Sequence, residues 1–189
     1  LKWFDWYHAN YYKTGNFRYP SFLLGLSILY QKTSSNRIIV ETGSQRQLND
    51  IGSGESTRIF NQFCLDLGGF FCTIDNNHSA NKVAKEIIDS NANCILNDSV
   101  EFLKQFTSKI DLLYMDSLDF SYENPEASAQ HCLNEMEMAY NNNPLIVIID
   151  DNIRKGNQLI GKGMLARQFL LSHGYLEIFS HQQSVFLQL

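Results

Sequence analysis

Apolar residues fall in two rhythms along the chain, and the alternation between them predicts its elements. Short, nearly continuous apolar runs at 37–40, 70–74, 93–96, 110–115 and 145–149 have the length and β-branched content of strands covered on both faces. Between them apolar positions recur at every third or fourth residue, as in Ile59, Phe60, Phe63, Cys64 and Leu67, then Ala80, Val83, Ala84, Ile87 and Ile88. The same spacing returns in Ala129, Leu133, Met136 and Tyr140, and in Leu165, Phe169 and Leu170. It predicts helices, the first stopped by Gly68-Gly69 and the last by Gly174. Strands separated by helices imply right-handed crossovers, hence a doubly wound α/β sheet that is mostly parallel. Runs at 175–179 and 184–189, with only a few polar residues between them, predict a C-terminal hairpin whose last strand enters the sheet antiparallel.

Residues 1–35 break this rhythm. Aromatic side chains crowd them, from Trp3, Phe4, Trp6 and Tyr7 to Tyr30, ahead of the first strand. A helical segment of that kind covers one sheet face, forms the contact of a homodimer, or closes as a lid over a substrate. The expected division is therefore an extension over 1–35 and a single α/β domain over 36–189. A length of 189 residues suits one core. Fifteen basic against twenty acidic side chains give a net charge of -5, which argues against a nucleic-acid or anionic-membrane partner recognised through bulk charge. The longest apolar stretch, 22–30, is too short to span a bilayer. The sequence opens on Leu1 rather than Met and shows no secretory leader. Cys64, Cys72, Cys94 and Cys132 stand singly inside apolar patterns, so four buried free thiols and a cytoplasmic setting are expected. None of the five histidines has zinc-ligand spacing with them.

The chemistry gathers where the strands end. Each of the five apolar runs stops at an acid or an Asn-Asp pair: Glu41, Asp75, Asn97-Asp98, Asp116 and Asp150-Asp151. In an open parallel sheet the carboxyl ends of the strands carry the ligand, so these side chains are expected to line one polar cleft. The loop after the first strand holds Gly43, Gly52 and Gly54 before Ser56 and Thr57 open a helix. Glycines let backbone approach a ligand, and a helix start favours an anionic group. The loop lacks the Lys of a phosphate-binding loop. Asp75 is placed to accept both hydroxyls of a ribose, or to cap the next helix. Asp98 and Ser99 are placed beside an adenine, or cap the helix over 100–106.

Taken together, Glu41-Thr42-Gly43, Gly52-x-Gly54-x-Ser56-Thr57, Asp75, Asn97-Asp98-Ser99 and Asp116, followed by a terminal hairpin, resemble the class I S-adenosylmethionine-dependent methyltransferases over residues 36–189. The resemblance implies a Rossmann-like fold with S-adenosylmethionine as cofactor. The glycine loop (Glu41, Gly43, Gly52, Gly54, Ser56, Thr57) would pass under the methionine part, Asp75 would bind the ribose, and Asp98 with Ser99 would border the adenine. Residues 44–51 stretch that loop beyond the family's compact form.

A narrower likeness rests on Asp116 and on Asp150-Asp151-Asn152, which resemble the magnesium-binding strand ends of catechol-type and macrolide-sugar O-methyltransferases. It implies Mg²⁺ held by Asp116, Asp150, Asp151 and Asn152, a hard ion on oxygen ligands that orients a substrate hydroxyl. In metal-independent relatives Asp116 would only line the cleft and Asp150 and Asp151 would cap the next segment. The catechol-type enzymes place a basic Lys three residues after the first metal Asp, and here Asp119 stands there. His131 and Lys162 are the alternatives for proton removal, beside Asp116, and each has a purely structural reading. The implied activity is methyl transfer to an oxygen of a small-molecule or sugar acceptor. A nicotinamide-dependent oxidoreductase using Asp75 on ribose, and a non-catalytic binding module of the same fold, are the competing readings.

Overall fold

The computed structural model describes residues 2–51 and 55–189. Strands β1 (Ile38–Thr42), β2 (Phe70–Asp75), β3 (Ala92–Leu96), β4 (Leu112–Met115) and β5 (Ile146–Ile149) run parallel. A small hairpin of β6 (Arg154–Lys155) and β7 (Gln158–Leu159) stands apart, and β8 (Tyr175–Ser180) and β9 (Ser184–Gln188) complete the main sheet. Its order is β3-β2-β1-β4-β5-β9-β8, with β9 antiparallel to both neighbours. The chain winds outward from β1 in one direction and from β4 in the other. The crevice of such a sheet opens at that reversal, over the ends of β1 and β4.

Helices α1 (Lys2–Tyr11), α2 (Tyr19–Lys32), α3 (Ser56–Leu67), α4 (His78–Ile87), α5 (Ser99–Gln105), α6 (Pro125–Ala139) and α7 (Gly163–Ser172) flank the sheet. Side chains alternate along each strand, which builds two cores. Ile39, Leu112, Tyr114, Ile146 and Ile148 meet Trp3, Tyr7, Phe22, Phe60 and Phe63 on one face. Val40, Leu113, Met115, Val147 and Ile149 meet Met136, Ala166 and Leu170 on the other. The aromatic N-terminal segment is thus a layer of the chain's own core. Trp3 stacks on Tyr7 at 4.8 Å, and Phe22 meets Tyr114 edge-on at 5.3 Å.

Three sequence expectations change. The first strand extends to Thr42 and excludes Arg37, whose buried guanidinium donates to the Leu67 and Gly68 carbonyls at 2.8 and 2.9 Å and so ties the start of β1 to the end of α3. Cys94 is half-buried rather than buried, because β3 is an edge strand, whereas Cys64, Cys72 and Cys132 are buried, and all four are free thiols. The β6–β7 hairpin carries no apolar run that would reveal it. Among the described residues no helix is long and apolar enough to cross a membrane.

Candidate functional site

The carboxyl ends of the strands open on two adjoining cavities that share Gly43. The larger, about 370 Å³, is lined by Arg18, Gln45, Arg46, Ser56, Asp116 and Asp151 together with Asp50, Glu55 and Asp119. The smaller, about 90 Å³, is lined by Asp75, Asn97, Asp98, Ser99, Leu118 and His131. Gly43 takes φ +82°, and a Cβ there would run into the Asp116 carbonyl and Ser117. Only glycine lets the β1 turn lie this close to the end of β4.

Asp75 does not cap α4. Asn77 does, accepting from Ser79 and Ala80 at 2.8 and 3.2 Å. Asp75 instead accepts the Ser44 N–H at 2.8 Å and the Asn77 N–H at 2.7 Å, which fixes its carboxylate between the loops after β1 and β2. Asp98 does cap α5, accepting from Glu101 at 3.0 Å, and still lines the smaller cavity. His131 reaches Ser99 at 3.2 Å and Glu135 at 3.4 Å, and the neighbouring Glu135 carboxylate raises its pKa despite burial. It therefore faces the Asp75–Ser99 side and is not a lining residue of the cavity that holds Asp116, the position expected of a base.

Glu41 and Thr57 lie under the glycine loop rather than in the cleft. Thr57 donates to Glu41 at 2.7 Å and accepts the Gln45 N–H at 2.9 Å, bracing the loop from below. Ser56 reaches the larger cavity, while Gly52 and Gly54 lie outside the described residues. Complete burial raises the Glu41 carboxyl to about 7 from an ordinary 4.5, the neighbouring hydroxyls of Ser56, Thr73 and Thr57 only partly offsetting it. A carboxyl that holds its proton more tightly when folded stabilises the fold fully below its unfolded pKa and loses that contribution as pH rises through the folded value. Urea-unfolding free energy is thus expected to fall between about pH 4.5 and 7, and Glu41→Gln to flatten the fall. Parallel pH profiles for the two proteins would refute this role of Glu41.

The acids at β4 and β5 are held by two internal cations. Arg18, from the turn before α2, donates from Nε to Asp150 at 2.8 Å, and the Tyr114 hydroxyl donates to the same carboxylate oxygen at 2.8 Å. Asp150 is fully buried. Lys162 is 2% exposed, with its ammonium in contact with Asp116 and 3.1 Å from Asp151. Burial alone would lower the pKa of both cations, but Asp150 overrides it for Arg18, and Asp116 and Asp151 for Lys162, so both are raised. At the cavity mouth Arg46 pairs with Asp119 through two hydrogen bonds of 2.7 and 2.9 Å, which lower the Asp119 pKa.

This arrangement does not fit the magnesium expected at Asp116, Asp150, Asp151 and Asn152. A hard divalent ion needs several free oxygen ligands in near-octahedral array. Here the facing oxygens of Asp116 and Asp151 bind the Lys162 ammonium, and Asp150 is engaged by Arg18 and Tyr114. The Asn152 carboxamide is buried against Gly163 with neither atom hydrogen-bonded, and it is not a lining residue of the cavity. Among the described residues no group of three or more His, Cys, Asp or Glu is placed to hold an ion.

Sequence reasoning missed Arg18, Gln45, Arg46 and Glu55. Arg18 left one trace, a single cation between Phe17 and Tyr19 in an aromatic stretch, which demands a buried partner. Gln45, Arg46 and Glu55 sit in the stretched glycine loop, where no periodicity marks them.

Comparison with known proteins gives a family and a fold. The pattern of a family described as a methyltransferase domain matches residues 50–150. No curated protein sequence matches the chain. Among solved structures, the MycE methyltransferase of the mycinamycin biosynthetic pathway, in complex with Mg, SAH and mycinamycin VI, superposes with a TM-score of 0.66 at 12% identity. That match covers 96% of this chain and 53% of MycE, so the chain spans about half the length of that relative. An rRNA methylase from Streptococcus thermophilus gives a TM-score of 0.53 at 10% identity, covering 89% of this chain and 96% of its own. The N-methyltransferase NodS from Bradyrhizobium japonicum gives 0.50 at 12% identity, covering 92% and 98%. At such identities the likeness shows the fold alone.

Proposed function

We propose that this chain, which belongs to the methyltransferase domain family, moves the methyl group of S-adenosylmethionine to an oxygen of a small, hydroxyl-rich, sugar-like acceptor. The coarser part follows from the family and the fold: the chain is a class I S-adenosylmethionine-dependent methyltransferase. The finer part rests on the two cavities.

The donor suits the residues present. In the smaller cavity Asp75 can accept hydrogen bonds from ribose hydroxyls while Asp98, Ser99 and Leu118 border the base. In the wall of the larger cavity Gln45 Oε1 is buried without a hydrogen-bond donor, a deficit that an incoming ammonium would relieve. The acids around it favour a donor that carries a sulfonium and an ammonium. Gly43, shared by both cavities, marks the junction where the two halves of the donor would meet. When bound, S-adenosylmethionine supplies an electrophilic methyl group. The chain's own residues orient the acceptor against it and exclude water.

The observation that carries the acceptor class is the grouping of Arg18, Asp116 and Asp151 in one cavity wall. A hydroxyl both donates and accepts, and this wall offers a carboxylate to take its hydrogen bond and a guanidinium to supply one. Lys162, behind Asp116 and Asp151, holds those carboxylates in position through its ammonium, while burial raises the Asp116 carboxyl to about 8 and the lysine only partly offsets this. His131 belongs to the nucleoside side in this reading, and magnesium has no part in it. Incubation with methyl-labelled S-adenosylmethionine and a panel of hydroxylated acceptors, followed by mass spectrometry, is expected to yield an O-methyl ether. Label found only on amine nitrogen or in RNA would overturn the acceptor class and leave the family assignment standing.

A further inference from the structure

We infer that Lys162 is the resident cation of this site, its ammonium taking the place that a divalent ion would hold between Asp116 and Asp151. The inference goes beyond the acceptor assignment and is tested without any acceptor.

The chain around Lys162 is shaped to deliver it. After β5 the backbone turns at Asp151, which adopts φ +48°, a left-handed conformation that costs energy for a residue with a Cβ. The β6–β7 hairpin then carries the chain out and back, closed by the Ile160 N–H on the Ile153 carbonyl at 2.8 Å. On its return the Lys162 N–H bonds to the Asp151 carbonyl at 3.1 Å. Glycine stands on both sides. A Cβ on Gly161 would run into the Asp151 carbonyl, and one on Gly163 into the Asn152 carboxamide. The sequence Gly161-Lys162-Gly163 therefore presses flat against the turn Asp151-Asn152, and the lysine side chain is left to reach Asp116 and Asp151 from within.

Charge leads to the same conclusion. Asp116, Asp150 and Asp151 bring three carboxylates to one place, with Arg18 hydrogen-bonded to the innermost and the Lys162 ammonium between the other two. Asp116 and Asp151, each about a quarter exposed on the cavity, repel one another unless a cation lies between them, and the buried Lys162 ammonium is that cation. A buried ammonium is tolerated only where such partners surround it. Lys162 and the pair Asp116–Asp151 thus satisfy each other, and a covalently tethered cation needs no free ion from solution. Lys162 is a positioning residue: it holds the Asp116 carboxylate beside Gly43.

The test uses Mn²⁺ alone, titrated into the full chain and followed by electron paramagnetic resonance and calorimetry. Wild type is expected to show no saturable site. Lys162→Met, which removes the ammonium and leaves the oxygens, is expected to gain one saturable Mn²⁺ site per chain, at metal concentrations about tenfold or more below those at which wild type still shows none. A further Asp116→Asn substitution should abolish the new site. The inference fails if wild type binds Mn²⁺ in an Asp116-dependent way, or if folded Lys162→Met gains no site. Should Lys162→Met not fold, Lys162→Gln is read in the same way, and the wild-type titration decides where neither variant folds: no site upholds the inference and an Asp116-dependent site overturns it.

Discussion

Asp150→Ala is expected to cost about 3–5 kcal/mol of folding stability, the penalty for leaving one member of a buried ion pair unanswered. Asp150 is fully buried, and Arg18, with only 11% of its side chain exposed, would lose the carboxylate that its Nε–H meets at 2.8 Å. The Tyr114 hydroxyl, which donates to Asp150 at 2.8 Å and accepts from Gln183 at 3.2 Å, would keep only its longer contact to Asp116 at 3.3 Å as acceptor. The damage extends beyond one pair, because Arg18, together with Ser21 on Gln183, ties the N-terminal helical layer to the strand ends. Loosening it opens a wall of the larger cavity. Urea denaturation measures the first effect, and limited proteolysis within residues 2–32 the second. A loss below about 1 kcal/mol, within the range of an exposed pair, would show that Arg18 is not held as described.

Asp75→Asn is expected to weaken binding of S-adenosylhomocysteine about tenfold to a hundredfold, since a hydrogen bond to a charged acceptor contributes about 1.5–3 kcal/mol. The amide keeps the size of the carboxylate but only one of the two oxygens that accept from Ser44 and Asn77, so urea unfolding of the variant is measured beside the binding and the affinity is compared at temperatures where both proteins are folded. Calorimetry of both proteins with S-adenosylhomocysteine reads the effect directly. Equal affinities would remove Asp75 from the ribose. Tight binding of a nicotinamide dinucleotide in its stead would favour hydride transfer over methyl transfer.

The sheet was legible because its strands are covered on both faces. Ile39–Val40, Leu112–Met115 and Ile146–Ile149 have nowhere to place polar side chains, so they stand out as apolar runs, although the acids that follow two of them, Glu41 and Asp150, are themselves still fully covered. The acids Asp75, Asp98, Asp116 and Asp151 accordingly gather at one edge, as the pattern implied. What answers those acids was not legible. Arg18 is 132 residues from Asp150 in sequence, and Lys162 is 46 from Asp116. No local periodicity links partners so far apart. The metal expectation arose from that gap: oxygen ligands can be recognised by type and spacing, whereas the cation already seated among them becomes visible only when the chain has folded. Glu41 shows a similar limit. Its place at a strand end suggested a ligand contact, yet its position one residue further inside β1 puts it under the loop with Thr57.

The central claim is that neighbouring strand ends hold an adenosyl donor across Gly43, and a crystal structure with S-adenosylhomocysteine tests it most directly. The account predicts ribose hydroxyls on Asp75, adenine beside Asp98 and Ser99, and the sulfur next to Gly43 facing Asp116. Density for the ligand away from Asp75, or with its sulfur turned from Asp116, would contradict it.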